Sequence, residues 1–396
     1  MTRRNTFLII SAIFLVKLLF VLFVNVATLI PGSDAQYYLK LRDQALSGDI
    51  LFTSGAEKFI APVYPWFLAL TGAVFGKDIF WIYFMQAVLG TVNVYVFYLI
   101  ASNILNPKRA LFVTGFYLLY FPVLILGGEI LPSLLGMTLI LLFFHNLFLA
   151  LKEERRQNFV LSGVYLGLAA LTRSVALYIP VIVLPLLLFY KRSLWKKYSV
   201  FLAVFILVLV PWSVRNFYVK DAANRNRIII ISQREELKAV SILKEKVFDE
   251  KILKISTLIE NAGRAFLYPY RFSFIYSYNG PPDYHYANIS VKNIQSFYKF
   301  FKQPKVVLSA ILFFIHFALI SFFALGIYKL IRNLRLIHGE NLKFFYNLIL
   351  FIYIGYISAS ILSVIAMCGI CSSYYLLPAL PFVTLLAGSW YCDYYT

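Results

Sequence analysis

Long apolar runs alternate with short polar segments along most of this 396-residue chain. The first run, residues 6–30, contains Lys17 and is long enough to cross the roughly 30 Å hydrocarbon core of a bilayer. The later runs predict spans at approximately 79–104, 109–127, 132–151, 158–173, 174–190, 198–214, 305–329, 344–367 and 373–391. This pattern predicts an all-α polytopic membrane protein with about ten transmembrane helices.

One apolar run, residues 62–76, is too short to be assigned by hydropathy alone. Lys and Arg cluster in the loops 106–110, 152–158 and 191–197, and such loops favour the cytoplasmic side. Counting residues 62–76 as a span would place all three loops outside. Because the run also contains Pro62 and Pro65, we expect an amphipathic helix that lies in the outer interface.

The same alternation of cytoplasmic and outer loops divides the chain into three parts. Residues 1–214 form a membrane module of about seven spans, whose first outer loop is residues 31–78. Residues 215–304 are rich in charge, Tyr and Asn and are predicted to be an external, periplasmic segment. Residues 305–396 hold the last three predicted spans, so both chain ends are expected inside, and we expect no further soluble domain after them.

Composition supports a multi-pass protein of the inner (plasma) membrane, since 61% of the residues are hydrophobic and only 14% are charged. The net charge of +19 lies in loop clusters that suit anionic lipid, so nucleic acid is not an expected partner. Three cysteines are too few for a disulfide framework. Phosphate-binding glycine loops and the HExxH and GxSxG motifs are absent from the sequence.

The polar residues on the predicted outer face are the candidates for chemistry. Asp34 opens the first outer loop, Glu129 lies in the second, Arg173 lies at the third, and Arg215 begins the external segment. Each has an ordinary alternative role. Glu129 shortly precedes Pro132 at a helix start, where acids are favoured, and Arg173 can extend from a helix end towards the headgroups. Together they indicate a site.

Two acids and two bases suit group transfer from a lipid-linked phosphate. Asp34 can take the proton of an acceptor hydroxyl as its oxygen attacks a sugar carbon, while arginines neutralise the departing phosphate. Glu129 can orient the acceptor, raise the pKa of Asp34, or share a divalent ion with it. Asp43 and Asp49, further along the loop, are expected to be solvated. Lys17 is either paired within the bundle or functional.

Several segments carry a resemblance to a known family. They are SDAQYY (33–38), APVYPWFLALTGAVFG (61–76), GGEILPSLLG (127–136), LTRSVALYIP (171–180), PWSVRNF (211–217) and YLLPALPFVTLLAG (375–388). In order and spacing they resemble the GT-C membrane glycosyltransferases, in the branch of dolichyl-phosphate-mannose protein mannosyltransferases and bacterial aminoarabinose lipid A transferases. The resemblance implies an outward-facing site, a polyprenyl-phosphate sugar donor and inversion at the sugar carbon. It implies that Asp34 is the base, Glu129 the second-loop acid and Arg215 the arginine of an IRN-like motif.

The sequence departs from the family pattern at two positions. Ala61 stands where similar proteins often have a basic residue before the proline, and Lys58 is the nearest substitute. Tyr374 replaces the arginine of an RYxLP-like motif near the last span. The donor phosphate is therefore expected to be bound by Arg215 with Arg173 or Lys58.

The expected function is a glycosyltransferase, hexosyl or pentosyl, that acts at the outer face of the membrane. Its expected partners are the polyprenyl-phosphate sugar, a lipid, glycan or protein acceptor, and membrane lipids. Tyr37, Tyr38 and Tyr284 are candidate substrate contacts because aromatic faces suit sugar rings, although interfacial anchoring explains the Tyr-rich loop equally well. The sequence identifies no cofactor with certainty, and a divalent metal ion is the one that the two carboxylates would suit. The competing functions are a lipid-linked glycan flippase or transporter and a glycan polymerase.

Overall fold

The computed structural model describes residues 3–23, 34–54, 60–119, 123–124, 127–128 and 130–219. The described residues are helical and contain no strand. The helices are α1 (Arg3–Phe23), α2 (Asp34–Leu46), α3 (Val63–Phe75), α4 (Ile79–Ile104), α5 (Pro107–Leu119), α6 (Ser133–Glu153), α7 (Arg156–Thr172), α8 (Ile179–Tyr190) and α9 (Trp195–Tyr218). Short 3₁₀ turns at Ser174–Tyr178 and Arg192–Leu194 precede α8 and α9. The predicted helical class is confirmed for this part of the chain.

Three of the described helical stretches, Ile79–Asn103, Ser133–Glu153 and Arg192–Tyr218, are long and apolar enough to cross a membrane. Helix α3 has 13 residues and is therefore about 20 Å long, shorter than the hydrocarbon core. Helices α5 and α8 lie in predicted spans and are similarly short, with 13 and 12 residues. Helix length therefore does not test whether residues 62–76 cross the membrane, and their place in the outer interface stays a prediction.

The helix boundaries follow the local sequence. The predicted break between residues 173 and 174 is present: α7 ends at Thr172, and a 3₁₀ turn leads into α8, which has Pro180 in its first turn, where a proline is tolerated. Helix α5 covers residues 107–119 of the predicted span 109–127, and residues 120–122 lie outside the described part of the chain.

Two glycines allow α7 and α9 to pack closely. A Cβ atom added at Gly163 would lie 2.7 Å from the Phe201 carbonyl oxygen, and one at Gly167 would lie 2.7 Å from the Val208 Cβ. Contacts this short are not possible for real side chains, so only glycine permits this spacing. The pair is a small-xxx-small pattern of the kind that packs helices in membranes.

Several polar side chains inside the bundle are paired with one another or with the backbone. Lys17 is buried on α1 and donates to the Val123 carbonyl oxygen at 2.7 Å, which supports the structural one of its two expected roles. Tyr117 donates to Asn93 Oδ1 at 2.8 Å, and Asn93 donates to Thr138 Oγ1 at 3.1 Å. This network connects α4, α5 and α6, and such pairing is needed where water is excluded.

The basic loops 152–158 and 191–197 meet at one end of the bundle. Glu154 ion-pairs with Lys191 at 3.3 Å and with Lys197 at 3.6 Å. Lys197 also donates to the Glu154 carbonyl oxygen at 2.7 Å. The prediction that these two loops share a face is thus confirmed, and we call this face the Glu154 end of the bundle.

Candidate active site

The opposite end of the bundle, which we call the Arg173 end, holds two of the predicted functional residues. Helix α6 begins at Ser133 and finishes beside Glu154, so Ser133 lies at the Arg173 end. Helix α9 starts beside Glu154 through Lys197 and carries Arg215 in its last turn. Arg173 and Arg215 therefore occupy the same end, as the predicted topology requires.

Arg173 follows the last residue of α7 and reaches the start of α6. Its Nη1 donates to Ser133 Oγ at 2.9 Å, and its aliphatic stem packs near Gly136, where an added Cβ would lie 3.6 Å from the Arg173 Cδ. The side chain is half-buried. Arg173 therefore lies beside the first turn of α6.

Asp34 is the first residue of α2 and is exposed. A carboxylate in the first turn is stabilised by the partial positive charge of the helix N-terminus. An exposed carboxylate at the start of a fixed helix is accessible to a second molecule, which a base for an acceptor hydroxyl must be.

Helix α2 packs against α3 through aromatic and cationic side chains. The rings of Tyr38 and Tyr64 meet edge to face with centroids 5.1 Å apart, and those of Tyr37 and Tyr38 lie 5.4 Å apart. Arg42 is buried and donates to the Lys77 carbonyl oxygen at 3.0 Å. Tyr37 and Tyr38 are half-buried. Both rings take part in packing, and their predicted contact with substrate stays a prediction.

The segment after α2, residues 49–54, forms a compact turn that we call the anchored loop. Asp49 Oδ1 accepts from the Thr53 backbone N–H at 2.9 Å and from the Thr53 hydroxyl at 3.1 Å. Asp49 Oδ2 accepts from the Ser54 backbone N–H at 2.8 Å, from the Ser54 hydroxyl, and from Gln44 Nε2 at 2.9 Å. The expectation that Asp49 is merely solvated is wrong, because its carboxylate organises this loop.

These hydrogen bonds also determine the charge of Asp49. Partial desolvation raises the pKa of its carboxyl, but the hydrogen bonds from Ser54, Gln44 and Thr53 outweigh that effect and hold the pKa well below its usual range. A depressed folded-state pKa stabilises the loop above the unfolded pKa, and this stabilisation is lost only as the pH falls through the folded value. The carboxylate is therefore ionised throughout the neutral range.

Side chains from α3 and α9 hold the anchored loop from outside. Arg215 Nε donates to the Leu51 carbonyl oxygen at 2.7 Å, Nη2 donates to the Phe52 carbonyl oxygen, and Nη1 donates to Asn216 Oδ1 at 2.9 Å. Trp66 Nε1 donates to the Ile50 carbonyl oxygen at 2.9 Å. Three consecutive loop carbonyls thus have side-chain donors.

Trp212 of α9 also takes part in the contact between α9 and the anchored loop. Its Nε1 donates to the Ile60 carbonyl oxygen at 3.0 Å, and the Arg215 guanidinium lies 4.8 Å from the Trp212 ring centroid. Trp66 and Phe52 meet the same ring edge to face, at 5.4 and 6.3 Å. The contact between α9 and the anchored loop is therefore both polar and aromatic.

Three predicted site residues, Lys58, Glu129 and Tyr284, lie outside the described residues. Asp49 and Gln44 were not predicted as site residues, yet their side chains hold the anchored loop through hydrogen bonds. An aspartate four and five residues before a threonine and a serine, directly after a helix, is a readable signal for a side-chain-capped turn. Trp212, one helical turn before Arg215, is a second signal, since this spacing places both side chains on one face.

Comparison with known proteins places these residues in a family context. Residues 60–214 match the family described as dolichyl-phosphate-mannose-protein mannosyltransferase. An undecaprenyl phosphate-alpha-4-amino-4-deoxy-L-arabinose arabinosyl transferase 2 from Pseudomonas fluorescens is 29% identical over 163 residues, which are 38% of this chain. The match spans only 29% of that relative's length.

Among the similar solved structures, an archaeal oligosaccharyltransferase shares the fold. The oligosaccharyltransferase of Archaeoglobus fulgidus, solved with zinc and sulfate, aligns with a TM-score of 0.56 at 15% identity over 97% of this chain and 49% of that chain. ArnT from Cupriavidus metallidurans in the apo state aligns with a TM-score of 0.46 at 16% identity over 98% of this chain and 77% of that chain. The comparisons confirm the resemblance found in the sequence, to GT-C membrane glycosyltransferases of the protein mannosyltransferase and aminoarabinose transferase branch.

Proposed function

We propose that this chain is an inverting glycosyltransferase that moves a sugar from a polyprenyl-phosphate donor to an acceptor at the outer face of the cytoplasmic membrane. One observation carries the proposal. Arg173 and Arg215 lie at the end of the bundle opposite the basic loops 152–158 and 191–197, and the loop that follows the Asp34 helix is bound there by Arg215. The family matched by residues 60–214 and the curated relative's name both point to a sugar carried on a lipid phosphate.

The proposed architecture extends the described helices to about ten spans with both chain ends inside. In this arrangement α2 and α3 lie on the outer surface as amphipathic helices, and residues 215–304 form an external segment. Trp66, Leu70 and Val74 lie on one side of α3 and are exposed, which suits a helix that rests in the lipid headgroup region.

The proposed reaction is a single displacement at the sugar carbon. The acceptor hydroxyl oxygen attacks that carbon as Asp34 takes the hydroxyl proton, and the bond between the carbon and the phosphate oxygen breaks. The bonding electrons remain on the departing polyprenyl phosphate, and nearby cations stabilise the developing charge. No covalent enzyme intermediate is formed, so the configuration at the sugar carbon inverts.

We assign the donor phosphate to Arg173 and Lys58 among the three predicted basic residues. The guanidinium of Arg215 already donates to two loop carbonyls, whereas Arg173 lies half-buried over the start of α6 with a serine hydroxyl as a neighbour. A hydroxyl and a guanidinium side by side can bind the same anion, because both are donors and a phosphate oxygen accepts from several at once.

Replacing Arg173 with glutamine is expected to weaken donor binding by roughly 10- to 100-fold, because a charge-assisted hydrogen bond is lost. The measurement is the Kd of purified protein for a polyprenyl-phosphate sugar. Ser133→Ala is the matched control, since it removes the hydroxyl that Arg173 contacts but keeps the cation, and its affinity should fall much less. Equal affinity of Arg173→Gln and wild type would rule out the assignment.

Glu129 is proposed to orient the acceptor beside Asp34. The alternative is a divalent ion shared by the two carboxylates. Among the described residues, which do not include Glu129, there is no group of three or more metal-ligating side chains. Transfer assayed with and without a chelator separates the two roles, because only the ion-sharing arrangement loses activity on chelation.

The predicted topology can be measured by labelling single cysteines. Cys368, Cys371 and Cys392 are first replaced by serine, and a cysteine is then placed at Lys77 or at Arg156, both exposed in the structure. A membrane-impermeant thiol reagent added to intact cells should label position 77 and should reach position 156 only after the membrane is opened. The reverse pattern would place the Arg173 end in the cytoplasm and contradict an outer-face site.

The expected partners are a polyprenyl-phosphate sugar, membrane lipids and an acceptor that is a lipid, a glycan or a protein. Incubation with a radiolabelled donor and fractionated envelope extracts identifies the acceptor, because the label moves into the fraction that contains it.

A further inference from the structure

We infer that Asp49 and Arg215 act as one positioning unit, which fixes the helix bearing Asp34 relative to the membrane bundle. The inference rests on the proposed function, since it assigns these residues a role in the transfer reaction. Asp49 folds the anchored loop from inside, and Arg215 holds the loop's carbonyls from α9. Neither residue needs to contact either substrate.

The Asp49 site is specific for a carboxylate. Oδ1 accepts from the Thr53 backbone N–H and Oδ2 accepts from the Ser54 backbone N–H. An asparagine at this position would turn its NH₂ group towards one of these two N–H groups in either orientation of the amide. Two donors would then face each other, so even this isosteric change breaks the loop's hydrogen bonding.

The Arg215 site is specific for a guanidinium. Its Nε and Nη2 reach the carbonyl oxygens of two consecutive residues, Leu51 and Phe52. The ammonium of a lysine keeps the charge but cannot present two donors in a planar fork. The buried position of Arg215 and its stacking on the Trp212 ring also depend on a flat cation.

The backbone of the anchored loop requires this support. Phe52 has a φ of +50° and its side chain is fully buried. The left-handed region is unfavourable for a bulky residue, and such a conformation persists only where surrounding contacts impose it. Here the Asp49 turn, the Arg215 hydrogen bond and the Trp212 ring provide these contacts.

The unit is connected to Asp34 through α2. Gln44, in the last turns of α2, donates through Nε2 to Asp49 Oδ2 at 2.9 Å and to the Ser54 carbonyl oxygen at 2.6 Å. Helix α2 has 13 residues, so its length of about 20 Å behaves as one rigid piece. Fixing its C-terminal end to α9 therefore restricts the position of Asp34 at its N-terminal end, and small misplacements of a catalytic group slow a reaction strongly.

The test combines a local structural measurement with transfer kinetics on the full-length protein in lipid nanodiscs. In Asp49→Asn, hydrogen exchange of the peptide covering residues 49–54 should accelerate by roughly tenfold or more, because the Thr53 and Ser54 N–H groups lose their carboxylate acceptors. Exchange should also accelerate in Arg215→Lys, because the loop loses the guanidinium that holds its carbonyls and therefore opens more often. The kcat should fall by about 10- to 100-fold, while the KM for the polyprenyl-phosphate sugar stays unchanged.

Asp78→Asn is the matched control for both variants. Asp78 caps α4 by accepting from the Phe80 N–H at 2.8 Å, and asparagine caps helices equally well. Exchange and kinetics should therefore match wild type. If Asp49→Asn does not fold, Ser54→Ala removes a single hydroxyl from the same carboxylate and should shift exchange in the same direction.

Two results would overturn the inference. The first is unchanged exchange of residues 49–54 in both variants. The second is a raised KM with unchanged kcat in Arg215→Lys, which would make Arg215 a donor-binding residue. If wild type transfers no sugar from any polyprenyl-phosphate donor, the proposed function fails, whereas the exchange measurement still decides whether Asp49 and Arg215 hold the loop together.

Discussion

Replacing Asp34 with asparagine is expected to lower the kcat for sugar transfer by about 10²- to 10⁴-fold, which is the usual contribution of a positioned general base. Asparagine has the same size but cannot accept the acceptor's proton at neutral pH. Asp34 is exposed at the start of α2, so its replacement should leave folding and donor binding unchanged. The measurement is transfer from a radiolabelled polyprenyl-phosphate sugar, with donor Kd determined on the same preparation.

Asp43→Asn is the control on the same helix. Asp43 is partly exposed and ion-pairs with Arg42 at 3.1 Å and with Lys77 at 3.6 Å. Pairs of this kind contribute little to stability, so the control variant should transfer sugar at nearly the wild-type rate. An Asp34→Asn protein as active as the Asp43→Asn protein would remove Asp34 from the mechanism.

Replacing Gly163 with alanine is expected to destabilise the protein by about 1–3 kcal/mol, the usual cost of overpacking a close contact. The new Cβ would lie 2.7 Å from the Phe201 carbonyl oxygen and 2.9 Å from the Val204 Cβ. Because the first of these atoms belongs to the backbone of α9, the two helices must move apart. The thermal unfolding midpoint in detergent measures the change.

Gly115→Ala is the matched control for this prediction. Gly115 also lies in a helix, α5, but an added Cβ there meets no atom of the described residues within 4 Å. Alanine is a better helix former than glycine by about 1 kcal/mol, so this variant should be as stable as wild type or more stable. Equal destabilisation by both changes would indicate that the close packing of α7 against α9 does not stabilise the bundle.

Much of the described fold could be predicted from the sequence. In a membrane, the length of an apolar run and the charged residues on either side of it nearly determine whether it forms a helix and how that helix is oriented. The basic loops 152–158 and 191–197 show this clearly, since they were expected on one face and are joined there by Glu154. The predicted break between residues 173 and 174 is likewise present, since α7 ends at Thr172. That residues 62–76 do not cross the bilayer stays a prediction, because α5 and α8, in predicted spans, are about as short as α3.

The internal support of the candidate site could be predicted only in part. The turn around Asp49 has a local signature in its spacing to Thr53 and Ser54. The bond from Arg215 to Leu51 joins residues 164 positions apart, and no local pattern indicates which carbonyls a guanidinium will choose. The sequence therefore predicted the end of the bundle at which Arg215 lies. It assigned the guanidinium N–H groups to the phosphate of the sugar donor, whereas in the structure they bind loop carbonyls.

The proposed function requires that this protein breaks the bond between a sugar and a polyprenyl phosphate. A doubly labelled donor, with one label in the sugar and another in the lipid, tests this in proteoliposomes that contain wild-type protein and an envelope extract. We expect the sugar label to move to an acceptor and free polyprenyl phosphate to accumulate, with both changes lost in Asp34→Asn. Movement of the intact donor across the bilayer, with both labels still joined, would identify a flippase and rule out the transferase.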